Sequence, residues 1–181
     1  MKKRIVPRLS VNLTQAYRLF YPQVPMIIAC RYRTQIAAMP ANSCMSVSDK
    51  PPMFAVSIRK ELKTDIILKK SKNFSVNWLN FRQRKYVNQL AAKSNSLDKL
   101  SALNVPYFEV MHAPILEQAQ AYAICETKSI QDFGDHDLFV GRVIGAMASL
   151  DFDTNWKFVD YHPILYLGSN FKNPFTTNRE R

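Results

Sequence analysis

The stretch that decides the fold is Gln120-Ala121-Tyr122-Ala123-Ile124-Cys125-Glu126-Thr127-Lys128-Ser129-Ile130-Gln131, then Gly134-Asp135-His136, then Asp137-Leu138-Phe139-Val140-Gly141-Arg142-Val143-Ile144-Gly145-Ala146-Met147-Ala148. Residues 120–131 and 137–148 are two long runs of β-branched, aromatic and small apolar residues. Such runs favour extended backbone, and Gly-Asp between them is a natural hairpin connection. A long antiparallel hairpin is therefore expected, with His136 at its tip.

Downstream, Pro163-Ile164-Leu165-Tyr166-Leu167 predicts one further short strand before a polar tail at residues 169–181. Upstream, Met26-Ile27-Ile28-Ala29-Cys30, about Ile36 to Met45, Met53 to Ile58 and Phe74 to Leu79 read as strands. Asp49-Lys50-Pro51-Pro52 interrupts them, because proline lacks a ladder donor. Ser10 to Phe20 predicts a short helix capped by Ser10 or Asn12, with Leu13, Ala16, Tyr17 and Phe20 on one face. Leu62 to Lys70 and Gln83 to Ala92 also have helical spacing, whereas the region around Pro106 and Pro114 gives no clear pattern. Strands spaced by turns, with helices inserted irregularly, favour a small barrel over a doubly wound sheet.

A chain of 181 residues fits one domain, and 47% hydrophobic with 22% charged residues is a globular composition. No G-x-G-x-x-G or P-loop pattern occurs. Met1-Lys2-Lys3-Arg4 imitates the start of a signal peptide, but Pro7 and Arg8 interrupt it before an apolar segment forms. No run of eighteen uncharged apolar residues suggests a membrane helix. Cys30, Cys44 and Cys125 are an odd count without C-x-x-C spacing, as expected of reduced thiols in the cytoplasm. Residues 1–97 carry 18 Lys/Arg against 3 Asp/Glu, and residues 98–181 carry 7 against 11, so the net +11 belongs to the first half. A basic half suits a polyanion or a phosphorylated cofactor, and it equally suits a solvated face.

Three segments could carry chemistry. Met39-Pro40-Ala41-Asn42-Ser43-Cys44-Met45-Ser46-Val47-Ser48 presents amide, hydroxyl and backbone groups that can bond the polar edge of a planar heterocycle. An ordinary strand with a polar solvent face has the same pattern. Ser57-Ile58-Arg59-Lys60-Glu61-Leu62-Lys63-Thr64 ends a strand and starts a helix, where hydroxyls, cations and backbone N–H groups converge on an anion. A helix start capped by Thr64, with its lysines in water, fits equally. In Gly134-Asp135-His136-Asp137-Leu138-Phe139-Val140-Gly141, His136 is either an acid–base group or a structural one. His112, His136 and His162 lack metal-ligand spacing, so no metal is expected. No nucleophile-elbow pattern anchors a catalytic triad. Trp78 to Tyr86 is aromatic and basic but lacks an RNA-recognition motif, and no nucleic-acid partner is expected.

Taken in order, Ala41 to Pro52, Ser57 with Thr64 seven residues on, Phe74 to Leu79 with Gln83, Gly134 to Gly141 and Pro163 to Gly168 resemble the flavin reductase-like family of FMN-binding split barrels. The resemblance implies a mainly β (α+β) fold: a six-stranded antiparallel split β-barrel with a few flanking helices. It implies a single domain over 1–181, with an N-terminal arm at 1–20 and a C-terminal tail at 169–181, assembled as a homodimer. Asn42, Ser43, Cys44 and Ser46 would line the isoalloxazine and ribityl chain, and Ser57, Arg59, Lys63 and Thr64 would hold the phosphate. His136 falls on the nicotinamide side. The implied activity is hydride transfer from NAD(P)H to FMN, or to FAD as a substrate, for a monooxygenase or an acceptor such as a ferric chelate. An electron carrier reduced only by a partner is the alternative.

Overall fold

The computed structural model describes residues 10–178. The Met1–Arg4 run, and with it the first part of the expected arm, lies outside the described residues, as does the end of the tail. A 3-10 turn at Leu13–Phe20 comes first, with the Asn12 side chain accepting from the Thr14 N–H at 3.0 Å. Its apolar residues are not buried within the chain: Leu13 and Phe20 stay exposed.

Strands β1 (Met26–Tyr32), β2 (Gln35–Ala41), β3 (Cys44–Asp49) and β4 (Pro52–Arg59) follow. Helix α1 (Lys63–Leu68) leads to β5 (Asn73–Trp78), a 3-10 turn at Phe81–Gln83, α2 (Arg84–Ala91) and α3 (Lys99–Ala102). Then come β6 (Tyr107–Val110), β7 (Ala113–Leu116), the long hairpin β8 (Ala121–Phe133) and β9 (His136–Ala148), and two short strands, β10 (Leu165–Tyr166) and β11 (Phe175–Thr176).

Among the described residues the main sheet has seven antiparallel strands in the order β2-β1-β5-β8-β9-β4-β3. The two end strands, β2 and β3, are consecutive in sequence and separated only by Asn42 and Ser43. A two-residue connection cannot cross a seven-strand sheet laid flat, where neighbours lie ~4.8 Å apart. The sheet must curl until its ends meet, which makes it a barrel split between β2 and β3. The expected mainly β split barrel is present, with seven strands where six were expected. The difference arises because the extended segment from Ile36 to Met45 bends at Asn42 and becomes two strands.

The barrel interior is filled by Ile28, Val56, Ile58, Phe74, Cys125 and Phe139, all almost inaccessible. A second apolar layer lies on the other face of β1 and β2, where Ile27, Ala29, Ile36 and Ala38 meet Leu90 and Leu100 of the helices. Strand β1 is thus buried on both faces, which explains its unbroken apolar run. The unassigned region around Pro106 and Pro114 is the β6–β7 hairpin, and only two residues of Pro163–Leu167 pair as a strand.

β7 is pinned by a buried polar network. The Asn77 amide donates to the Ile27 carbonyl at 3.0 Å and accepts from the Leu116 N–H at 3.1 Å. Ser75 donates to the Pro114 carbonyl. These bonds satisfy backbone groups that would otherwise be costly to bury.

Gly141 marks the tightest packing in the wall. A Cβ there would sit 2.7 Å from the Phe74 ring and 2.8 Å from Cys125 Cβ. Gly141→Ala is expected to destabilise the fold by about 1–3 kcal/mol through overpacking. Urea denaturation followed by circular dichroism checks this, and an unchanged midpoint would contradict it.

Candidate functional site

The residues singled out from the sequence lie at the β2–β3 bend, on the neighbouring strands β3, β4 and β9, and at the start of α1. Asn42 is half-buried and Ser43 exposed at the bend between β2 and β3. The Ser43 carbonyl accepts from the Ser57 N–H at 3.0 Å, so the bend is tied directly to β4. Among the described residues strand β3 ends the sheet, and its outer edge there carries backbone N–H and C=O groups without a ladder partner. An open strand edge with amide and hydroxyl side chains suits the polar rim of a heterocycle such as a flavin.

Cys44 takes a different position from its neighbours. Its side chain packs against the barrel interior, and its thiol approaches the Ala41 carbonyl at 3.7 Å. Burial pushes the Cys44 thiol up to about 12, and the same holds for Cys30 and Cys125, so all three stay protonated at neutral pH. Ser46 lines a shallow apolar hollow with Phe54 and Trp78.

Ser57 and Arg59 share one face of β4, while Val56 and Ile58 point into the barrel. Lys63 and Thr64 start α1, whose N-cap is Leu62 without a side-chain hydrogen bond, so Thr64 is not the cap. Thr64 is buried, and Lys63 donates to the Ser96 carbonyl. The structure divides the expected phosphate set. Lys63 and Thr64 line a cleft of about 300 Å³ with Met39, Pro40, Lys93 and Lys99. Arg59 lies instead beside the β8–β9 hairpin tip.

At that tip Gly134 has a φ of +64°, the left-handed conformation that favours glycine. Arg59 and His136 are register partners across β4 and β9. The Asp135 carboxylate meets His136 Nδ1 at 2.6 Å, and Arg59 lies 3.8 Å away from it. The hydrogen bond from His136 holds the Asp135 carboxyl below its ordinary value, so it is ionised and can only accept. Nδ1 therefore carries the proton, and Nε2 is left for a ligand. Lys60, one of the cations of the Ser57–Thr64 segment, braces the turn instead, through Asp132 at 2.5 Å and the Gly134 carbonyl at 2.7 Å.

A second unforeseen group lies beneath the tip. Asp137 follows His136 on β9 and points inward, opposite Ile58. Its carboxylate and that of Asp65 on α1 share one ammonium, Lys69, at 2.5 and 2.8 Å. Desolvation raises Asp65 above its ordinary value, while the bond from Lys69 lowers Asp137. The two carboxyls are therefore shifted in opposite directions by their surroundings. An inward strand position occupied by Asp137 was the available sequence signal, because a buried carboxylate demands a partner.

Known proteins fit this geometry. The flavin reductase like domain family matches residues 17–174. The chain belongs to the flavin reductase-like family. An FMN-binding protein from Thermus thermophilus, solved with bound p-hydroxybenzaldehyde, is 28% identical with a TM-score of 0.80, covering 96% of this chain and 95% of that one. An NADH-dependent flavin reductase from a Rhodococcus species is 26% identical over 143 residues, 79% of this chain and 73% of that protein. The reductase component of a 4-nitrophenol 4-monooxygenase/4-nitrocatechol 2-monooxygenase from Rhodococcus opacus is 30% identical over 107 residues, 59% of this chain and 56% of that component. The chain spans 62% of the length of one further relative. Other flavin reductase-like folds align at lower identity, including a flavoredoxin at TM-score 0.82 and 18% identity, which speaks to fold alone. Among the described residues no helix is long and apolar enough to cross a membrane, and no cluster of three metal-ligating side chains occurs.

The Asp65–Lys69–Asp137 link gives opposite pH signs for its two acids. Asp137, lowered on folding, stabilises above the ordinary aspartate range near ~4, and that contribution is lost as pH falls. Asp65, raised on folding, favours the fold below that range and loses its contribution as pH rises through its raised value. Asp137→Asn should therefore lower Tm at neutral pH, by an amount that shrinks on acidification. Asp65→Asn, which mimics the protonated partner, should leave neutral-pH Tm unchanged or raised. Thermal melts from about pH 3 to 8 test both signs, and equal losses at neutral pH would refute the assignment.

Proposed function

We propose that the chain is an NAD(P)H:flavin oxidoreductase that binds FMN, accepts FAD as a flavin substrate, and passes hydride from NAD(P)H to the flavin. Reduced flavin then serves a monooxygenase or another acceptor such as a ferric chelate. What supports this reading is that the β2–β3 bend is tied to β4, whose end pairs with His136, while the Lys63–Thr64 cleft reaches Met39 and Pro40 of β2. The monooxygenase partner is supported by the relative named as a reductase component. NADH use is supported by the relative named for it, and FMN by the Thermus protein.

Asn42, Ser43 and the backbone of Cys44 and Ser46 would bond the isoalloxazine rim and ribityl chain. Lys63 and Thr64 would hold the phosphate from the cleft, with Ser57 lining the path and Arg59 adding positive charge from the exposed side. Bound there, the flavin supplies a ring that accepts a hydride from reduced nicotinamide. His136, oriented by Asp135, presents Nε2 to the nicotinamide amide and holds the ring in place by a hydrogen bond. Cys44 takes no covalent part, because its thiol stays protonated.

Residues 1–181 form one FMN-binding split-barrel domain that assembles as a homodimer. Exposed Leu13, Tyr17, Leu19 and Phe20 on the N-terminal 3-10 turn support assembly, since apolar surface of that extent favours cover by a second chain. Three free cysteines support a reducing, cytoplasmic setting.

A carrier reduced only by a partner protein is the second reading, and one variant separates the two. His136→Ala should slow anaerobic flavin reduction by NAD(P)H on the order of a hundredfold, the lower end for a positioned polar group. FMN affinity should stay nearly unchanged. Stopped-flow absorbance gives the rate and fluorescence quenching the affinity; no reduction by either nucleotide in the native protein would select the carrier.

A further inference from the structure

Lys99 is a buried lysine, only 9% exposed, with no anion beside it among the described residues. The chain around it is anchored: the Leu97 carbonyl accepts from the Ile36 N–H at 2.8 Å, and Leu100 is fully buried. The Lys99 ammonium donates to the Leu90 carbonyl of α2 at 2.7 Å, which uses one of three donors. The adjacent carboxylate, Asp98, is committed to the Ser101 N–H at 3.0 Å and the Tyr107 hydroxyl at 2.8 Å. Burial, and after it the charge of Lys63, hold the Lys99 ammonium below its ordinary value. A lysine that is desolvated and set near another cation gives up its proton more readily, and the free amine is the nucleophilic form.

The surroundings select the electrophile. Lys99 lines the cleft of about 300 Å³ with Lys63, Lys93, Thr64 and Ser94, and Glu61 is the one acid among the lining residues. Among the described residues Lys63 and Lys93 have no ion pair either. Ammonium groups with hydroxyls nearby suit a phosphate. A small molecule that carries both a phosphate and a reactive carbonyl is therefore concentrated beside the amine. Acyl phosphates have both groups.

We propose that Lys99 is a modification site, acylated without an enzyme by small acyl phosphates that the cleft holds through Lys63, Lys93 and Thr64. The amine nitrogen attacks the carbonyl carbon and forms a C–N bond. The C–O bond to the phosphate breaks, and inorganic phosphate leaves with the electron pair. The nitrogen releases its proton to solvent, and nothing is oxidised or reduced. The amide product is uncharged, so the buried position no longer carries an unpaired cation and the cleft loses one positive charge. Acylation and an entering anion therefore oppose each other. This holds whichever anion the cleft serves, a flavin phosphate included.

The test incubates the whole protein with acetyl phosphate and follows each lysine by peptide mass spectrometry. Lys99 should be acetylated about tenfold faster than the exposed Lys70, Lys85 and Lys172, which lie outside the cleft. In urea, where the cleft is lost, that lead should vanish. Acetic anhydride, which carries no phosphate, should give Lys99 a smaller lead. Lys93→Gln, a change at an exposed position, should slow acetylation of Lys99 several-fold, with circular dichroism verifying the fold. Inorganic phosphate should compete with acetyl phosphate at Lys99 and leave the exposed lysines unaffected. No lead at Lys99, or a lead equal with both reagents and untouched by inorganic phosphate, overturns the inference. Protection of Lys99 by inorganic phosphate but not by FMN keeps the acylation site and removes the flavin from the cleft.

Discussion

The link between Asp65, Lys69 and Asp137 is the constraint on which the site depends. Helix α1 is only six residues long and has no side-chain cap. A helix of that length has little stability of its own, so it holds its place through tertiary contacts. Ile67 and Leu68 anchor its apolar side in the barrel core. Lys69 anchors the polar side by bridging to Asp137 on the strand that carries His136. The cleft residues Lys63 and Thr64 and the hairpin-tip histidine are therefore held to one another through three buried or half-buried charges. Burial raises the Asp65 carboxyl while the bond from Lys69 lowers that of Asp137, so one ammonium serves two carboxylates unequally.

Much of the barrel was legible in the sequence because its strongest signals are local. The β8–β9 hairpin announces itself by two long β-prone runs and a Gly-Asp turn, and β1 by a short apolar run. The strand count was one short, because composition does not change at Asn42 and only the bend separates β2 from β3. The β6–β7 hairpin was illegible for a different reason. Pro114 sits within a strand, and the pairing that supports it comes from Ser75 and Asn77, residues about forty positions away. Local propensity carries no trace of such a partner.

The candidate site was legible as a set of blocks and not as a geometry. Ser43 is bonded to Ser57, Lys63 and Thr64 share a cleft, and His136 pairs with Arg59, so the blocks meet in pairs. Cys44 departs because its side chain packs against the barrel interior, and Arg59 departs because it faces the hairpin tip and not the cleft. Lys93 and Lys99 belong to none of the sequence blocks, since nothing local distinguishes a buried lysine such as Lys99 from a solvated one. The positive charge of the first half of the chain was visible from composition. Folding concentrates part of it into one cleft, where low exposure makes each charge count for more.

The open edge of β3 has a second meaning. A row of unpaired N–H and C=O groups beside exposed Met45 and Val47 is a template onto which another strand can add. A ligand that bonds this edge would also shield it. Occupancy would then guard the molecule against strand-to-strand association, so that the same hydrogen bonds that recognise a ring would keep the edge from pairing with another.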